Sequence, residues 1–247
     1  MRTNLSSLRT GETNVNKNGS IMVVEKYNRS DDIVVKFPDS NYTTNSTWAN
    51  FKKGHVRNPF DLTVCGVGFI GNGAYKTKDK GRINKRYDVW TGMLRRCYSN
   101  EYSAYKNAYV CDEWHNYQNF AKWFDENFYQ VEGSRMELDK DILIKGNKTY
   151  SPQTSIFAPQ RINSLFAKCS TPRKDIPIGV EWCKKDKKYR VNYSNEHAGY
   201  YDSAIEAFYH YKESKEKQIK EIAEEYKNKI PRALYNAMIA YQVEITD

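Results

Sequence analysis

Histidine is scarce in this chain: His55, His115, His197 and His210 are all there are in 247 residues. Cysteine is hardly commoner, and Cys65, Cys97, Cys111, Cys169 and Cys183 include no Cys-x-x-Cys pair. An odd number of widely spaced cysteines excludes a zinc-ligand pattern and a disulfide framework, so they read as small buried hydrophobes. Long apolar runs are also missing. None approaches the roughly 20 residues of a membrane span, and the Arg-, Asn- and Ser-containing start has no signal-peptide core. A soluble cytoplasmic protein without membrane contact is expected. A Gly-x-Gly-x-x-Gly run does occur at Gly66, Gly68 and Gly71. No helix follows it and no strand-helix-strand unit surrounds it, which excludes a dinucleotide site.

Tyrosine and positive charge are what the chain has in quantity. There are 20 tyrosines, side chains that pack with the ring and hydrogen-bond at the edge. The formal net charge is +9. Residues 1–89 hold 15 Lys/Arg against 8 Asp/Glu, residues 90–167 hold 9 against 9, and residues 168–247 hold 15 against 13. Basic flanks around a neutral middle suit a polyanion, and double-stranded DNA is the expected partner.

The expected fold class is α+β. Residues 1–60 carry short β-rich runs at 21–24, 33–37 and 43–51, separated by Asn-, Asp- and Pro-containing turns. That spacing predicts a small antiparallel β-barrel, SH3-like in size. Residues 61–86 form a glycine-rich connector ending in Lys76, Lys78, Lys80, Arg82, Lys85 and Arg86, opposed only by Asp79. As an extended segment it would follow a phosphate backbone by charge. Helical spacing of Tyr87, Trp90, Met93, Leu94 and Tyr98 predicts a helix, with Arg95 and Arg96 off its apolar face as candidate phosphate clamps. Asn116 reads as the cap of a second helix carrying Phe120, Trp123, Phe124 and Phe128.

The stretch that reads as chemistry begins at Leu138-Asp139-Lys140-Asp141. Two short apolar strands, 142–144 and 155–157, flank a turn at Gly146-Asn147, and a helix starts after Pro159. Strand, strand and helix, with carboxylates before and Asn163 on the helix, resemble the ββα-metal finger of HNH endonucleases. The Trp-x-x-Met-Leu-x-Arg-Cys run before it and the Tyr-Ser-Pro within it are similar to phage members of that family. The resemblance implies a module over residues 87–168 and a setting in the cytoplasm of a phage-infected bacterial host. It places Asp139 and Asn163 on the metal ligands, Thr154 on the residue that orients the base, and Lys140 where the family has its histidine base. The implied cofactor is Mg²⁺ or Mn²⁺ if the site is active, and otherwise none.

The departure at Lys140 matters because neutral imidazole titrates near working pH, whereas lysine starts near ~10.4. Asp139, Lys140, Asp141, Thr154 and Asn163 are the candidate catalytic set. Asp141 is available as a third oxygen ligand. The competing reading is that Asp139 and Asp141 merely shape a turn and pair with Lys140 and Lys145.

Residues 173–247 read as three strands, 178–182, 188–193 and 198–201, and a helix to about Tyr226 opened by Ser203 and Glu206. The Gly-Val, Tyr-Arg-Val and Gly-Tyr-Tyr-Asp-Ser runs resemble the plant ethylene-response-factor (Apetala-two) DNA-binding domain. That resemblance implies a three-stranded sheet lying in the major groove. Candidate DNA contacts are Trp182, Lys184, Lys185, Lys187, Arg190, Asn192 and Tyr193, with Arg190 and Asn192 suited to base edges. Pro231 opens a last helix, expected to cap the core or to pair with another subunit or a protein partner. Two functions follow from these expectations: a sequence-preferring, metal-dependent DNA-nicking nuclease, or an HNH-like DNA-binding protein without cleavage, regulatory or interfering in role.

Overall fold

The computed structural model describes residues 5–167, 176–193, 196–245 and 247. The chain is mixed α+β and divides into two compact units, Met1–Tyr102 with Val110–Asp125, and Ser103–Tyr109 with Glu126–Asp247. No helix among the described residues is long and apolar enough to cross a membrane.

The first unit opens with a short helix, α1 (Leu5–Arg9), and an antiparallel meander of β1 (Thr13–Val15), β2 (Ile21–Arg29), β3 (Asp32–Phe37) and β4 (Tyr42–Ser46). Alternation in β3 is strict: Ile33, Val35 and Phe37 are buried, and the residues between them are half-exposed. With Met22, Val24 and Tyr27 they form a one-sided core. The expected barrel is not formed. Among the described residues β1 bonds only β2 and β4 only β3, so the sheet stays open. The segment read as a third long strand instead turns helical after Ser46. Thr47 Oγ1 accepts the Asn50 N–H at 3.2 Å and starts α2 (Trp48–Lys52), whose Phe51 plugs the core.

The connector is pinned to this sheet by Asp61, a buried carboxylate. It accepts from Asn16 Nδ2 and Asn18 Nδ2, both at 2.8 Å, and from Ser20 Oγ. Its basic end is a hairpin rather than an extended strand, β5 (Lys78–Asp79) and β6 (Arg82–Ile83). Asn84 then caps α3 (Lys85–Tyr98), which buries Trp90, Met93 and Leu94. After the short β7 (Tyr109–Val110) comes α4 (Tyr117–Asn127), with Asn116 Oδ1 accepting the Gln118 N–H at 3.0 Å as the sequence suggests. Trp90 Nε1 donates to the Trp114 carbonyl at 2.7 Å, so this wide indole is buried with its polar handle satisfied.

In the second unit β8 (Met136–Asp139) and, beyond the two-residue β9 (Thr149–Tyr150), β10 (Ile156–Pro159) pair antiparallel, Leu138 opposite Phe157. α5 (Gln160–Leu165) follows at once. β11 (Val180–Cys183), β12 (Lys188–Tyr193) and β13 (Glu196–Tyr201) make an antiparallel sheet in that order. α6 (Ala204–Tyr226) packs on it. Ser203 Oγ caps α6 through the Ile205 N–H. α6 buries Ala207, Phe208, Tyr211, Ile219, Ile222, Ala223 and Tyr226, while Ile205 and Tyr209 stay exposed. Gly179 makes room for one of these side chains: its φ is +74°, and a Cβ there would meet the Tyr211 ring at 2.1 Å, so the ring seats where only glycine leaves room. α7 (Arg232–Ala240) packs on α6 and buries Leu234 and Met238. Cys65 is exposed, and Cys97, Cys111 and Cys183 are half-buried, so the expectation of buried cysteines fails; Cys169 lies outside the described residues.

Candidate functional site: a finger and two basic turns

The expected order of strand, strand and helix is present as β8, β10 and α5, but the chain is built differently around Asp139. The strand is β8, ending at Asp139, while residues 142–144 are a bend. One carboxylate is the cause. Asp139 Oδ1 accepts the N–H groups of Asp141 and Ile142, each at 2.7 Å, which turns the chain and uses amides a strand would pair. Ile142 is buried, Ile144 is 53 % exposed, and Gly146 takes φ +80° in the turn beyond. Burial, and then the neighbouring Asp141 charge, push the Asp139 carboxyl up to about 6 against those two hydrogen bonds and Lys140.

Lys140 is nearly buried, its Nζ 3.3 Å from Asp141 Oδ2 and lying 5.5 Å from the Tyr105 and 5.8 Å from the Tyr150 ring centroids. The Lys140 carbonyl accepts from Asn147 Nδ2 at 2.6 Å. Thr154 Oγ1 donates to the Thr149 carbonyl at 2.7 Å and lies 2.8 Å from Ser151 Oγ, so it closes the turn before β10. Asn163 Nδ2 donates to Glu137 Oε2 at 2.8 Å. Glu137 and Asp139 are two apart on β8 and share a face, so α5 and this face are polar toward each other. Sequence reasoning passed over Glu137, although its i, i+2 relation to Asp139 was there to read. Lys145 does not join this group; it binds Asp247 Oδ2 at 2.7 Å and the Gln242 carbonyl at 2.9 Å.

A divalent ion is what the family resemblance implies here, and the donor set suits one poorly. One Asp139 oxygen is committed to two backbone donors, and the Asn163 side chain is engaged through its Nδ2 with Glu137 rather than with Asp139.

The basic residues sit on two β-turns. Lys76, Lys78, Lys80 and Arg82 are exposed on and beside the β5–β6 hairpin; Lys85 is exposed at the start of α3. Arg86, half-buried, instead binds Asp125 Oδ1 at 2.5 Å, and that partner raises its pKa further and keeps the guanidinium charged. Arg95 is exposed in the last turn of α3, while Arg96 is half-buried. Lys184, Lys185 and Lys187 are exposed in the turn joining β11 to β12.

On the sheet itself, alternation sorts the candidates. Val180, Tyr189, Val191 and Tyr193 turn to α6, and Tyr193 stacks edge-on to Tyr211 while donating to Gln218 Oε1. Trp182 shares that side and lies 4.8 Å from Tyr189, ring to ring, at 40 % exposure. Arg190 faces outward opposite Glu181 and Tyr200 and pairs with Glu181 Oε2 at 2.5 Å. The side chain of Asn192 lies outside the described residues. No protein-family model, curated protein or solved structure matches the chain.

Proposed function

We propose that this chain is a sequence-preferring protein of double-stranded DNA in which the HNH-like finger shapes the fold without cutting. The observation that carries the reading is the placing of its cations. Lys78, Lys80 and Arg82 on one β-turn, and Lys184, Lys185 and Lys187 on another, are exposed and make no ion pair among the described residues. Solvated lysines on turns give solubility too, but three exposed cations on each of two turns, against one acid in each (Asp79 and Asp186), fit a regularly charged backbone better than a scattered surface. Arg190, on the outward face of the three-stranded sheet, is suited to reading a guanine edge once released from Glu181. The sequence resemblance of the Gly-Val, Tyr-Arg-Val and Gly-Tyr-Tyr-Asp-Ser runs to the Apetala-two pattern, together with an antiparallel β11–β12–β13 sheet, supports a sheet-in-groove mode.

Against cleavage stand the two residues a nuclease would need. The residue at the base position is an ion-paired lysine between two tyrosine rings, and the residue at the metal position ties down a turn. The nicking alternative draws on Glu137, Asp139 and Asn163 lying toward one polar face, and would need Mg²⁺ or Mn²⁺.

The test is a titration of the full chain on a mixed-sequence duplex at several salt concentrations. Each phosphate neutralised contributes about −0.9 to the slope of log K against log salt, and six to eight contacts are expected. A flat response, or no binding at low salt, refutes the reading.

A further inference from the structure

The hairpin at Lys78–Ile83 is a built arm. Lys80 and Gly81 take φ of +47° and +81°, the two positive values that a two-residue type I′ turn requires. An isolated two-stranded ribbon is marginal in water, so something must hold it. Its root does. Asn84, buried, takes the Thr77 carbonyl at 3.1 Å on its backbone N–H and donates its side-chain amide to the Lys76 carbonyl. Tyr117, fully buried, donates to the same Lys76 carbonyl at 3.0 Å. A rigid root and an entirely exposed ribbon are the form of a probe, and Ile83, at the root end of β6 opposite Lys78, is 59 % exposed.

Its two faces differ. Register places Lys78 opposite Ile83 and Asp79 opposite Arg82, so each pair shares one side of the ribbon. Asp79 is close enough to raise the pKa of Arg86 and Tyr117 of the body, and it stands opposite Arg82 in the ribbon. The other side offers Lys78 and Ile83, with Lys80 at the tip and no acid. A ribbon of two strands fits the major groove, about 12 Å wide, and not the minor groove at about 6 Å.

Building on the duplex-DNA reading above, we infer that the β5–β6 hairpin enters the major groove, with Lys78 and Lys80 on phosphates and Ile83 against base edges. Apolar contact of this kind favours the thymine methyl group.

The experiment compares the full chain with a Lys78→Ala/Lys80→Ala/Ile83→Ala variant on two mixed-sequence duplexes. One is unmodified; the other carries glucosylated 5-hydroxymethylcytosine, which fills the major groove and leaves the phosphates alone. All three positions are solvent-exposed, and circular dichroism verifies the fold. The variant is expected to lose about 1.8 from the salt slope, two phosphates at about 0.9 each. It is also expected to be less penalised by the filled groove than the native chain. An unchanged slope overturns the inference, as does an equal penalty for both proteins on the filled duplex. Either result leaves salt-sensitive binding by the native chain, and with it the DNA-binding reading, in place. Absence of salt-sensitive binding by the native chain to either duplex overturns both.

Discussion

Lys140 and Asp141 are sequence neighbours whose side chains close an ion pair at 3.3 Å, the ammonium lying against Tyr105 and Tyr150. The pair is asymmetric: the lysine side chain is 10 % exposed and the aspartate 29 %. Removing one partner of a buried pair leaves the other charge unpaired, whereas an apolar replacement of similar volume is close to neutral. Lys140→Met, which keeps an apolar side chain of similar volume beside the two rings and leaves the more exposed Asp141 without its ion-pair partner, should stay within about 1 kcal/mol of native in urea unfolding. Asp141→Ala should cost about 2 kcal/mol, discounted for its solvent access. The reverse order would mean that the ammonium is not held where it lies.

Asp139 makes stability depend on pH in an uncommon direction. Its folded carboxyl sits near 6, above the ordinary carboxylate value, so the folded state holds a proton the unfolded state releases. Its contribution is therefore full below the unfolded pKa and is lost as pH rises through about 6. Between about pH 7 and about pH 4 the native chain should gain on the order of 2–3 kcal/mol relative to Asp139→Asn. Parallel stability curves for the two proteins would refute the assignment.

Glu216 should behave oppositely. Burial raises its pKa, but the Lys212 ammonium at 2.6 Å and the Val243 N–H at 2.8 Å outweigh that and hold it below the usual value. Its contribution is present above the unfolded pKa and fades as pH falls through the lower folded one. Because it clamps the segment that buries Val243 beside Phe208 and Tyr211, Glu216→Gln should cost about 1–2 kcal/mol at neutral pH. The loss should shrink in acid; a loss constant down to low pH would argue against the clamp.

Two glycines separate strain from crowding. Gly81→Ala meets nothing within 4 Å and should cost about 1 kcal/mol for its positive φ alone. Gly179→Ala adds a Cβ 2.1 Å from the Tyr211 ring on top of the same strain, and should cost about 3 kcal/mol or more. Similar melting temperatures for both variants would show that Tyr211 does not seat on Gly179.

How far the sequence spoke depended on whether a residue's partner was near in the chain. Asn116 and Ser203 cap the helices they were expected to cap, because a cap bonds an amide two residues on. The three strands after Pro177 were legible from alternation and from their turns. Closure of the N-terminal sheet was not, since nothing local says whether β1 finds β4, and Thr47 starts a helix instead. Residues 142–144 read as a strand by composition; the Asp139 carboxylate, which takes their leading amides, made them a bend. At the candidate site, Asp139, Lys140 and Asp141 were visible as a cluster. The Asn163 partner Glu137, 26 positions away, and the Tyr105 and Tyr150 rings around Lys140 belong to tertiary structure.

The ion pair on the sheet gives a binding prediction. Glu181 neutralises Arg190 and sets a carboxylate on the outward face. Glu181→Gln should tighten duplex binding several-fold, and Arg190→Ala should weaken binding to a selected site more than to random duplex. Equal effects of Arg190→Ala on both duplexes would remove this face from recognition.

The central claim, that DNA is bound and not cut, is tested most directly on a supercoiled plasmid incubated with the full chain in Mg²⁺ or Mn²⁺ at low salt. Half of each sample is run on a native gel, and the other half after the protein is stripped away. The account predicts retarded plasmid in the first lane, relieved by added salt, and wholly supercoiled plasmid in the second. Open circles that form with metal, vanish with EDTA and are lost in Asp139→Ala would contradict it and make the finger a working nuclease.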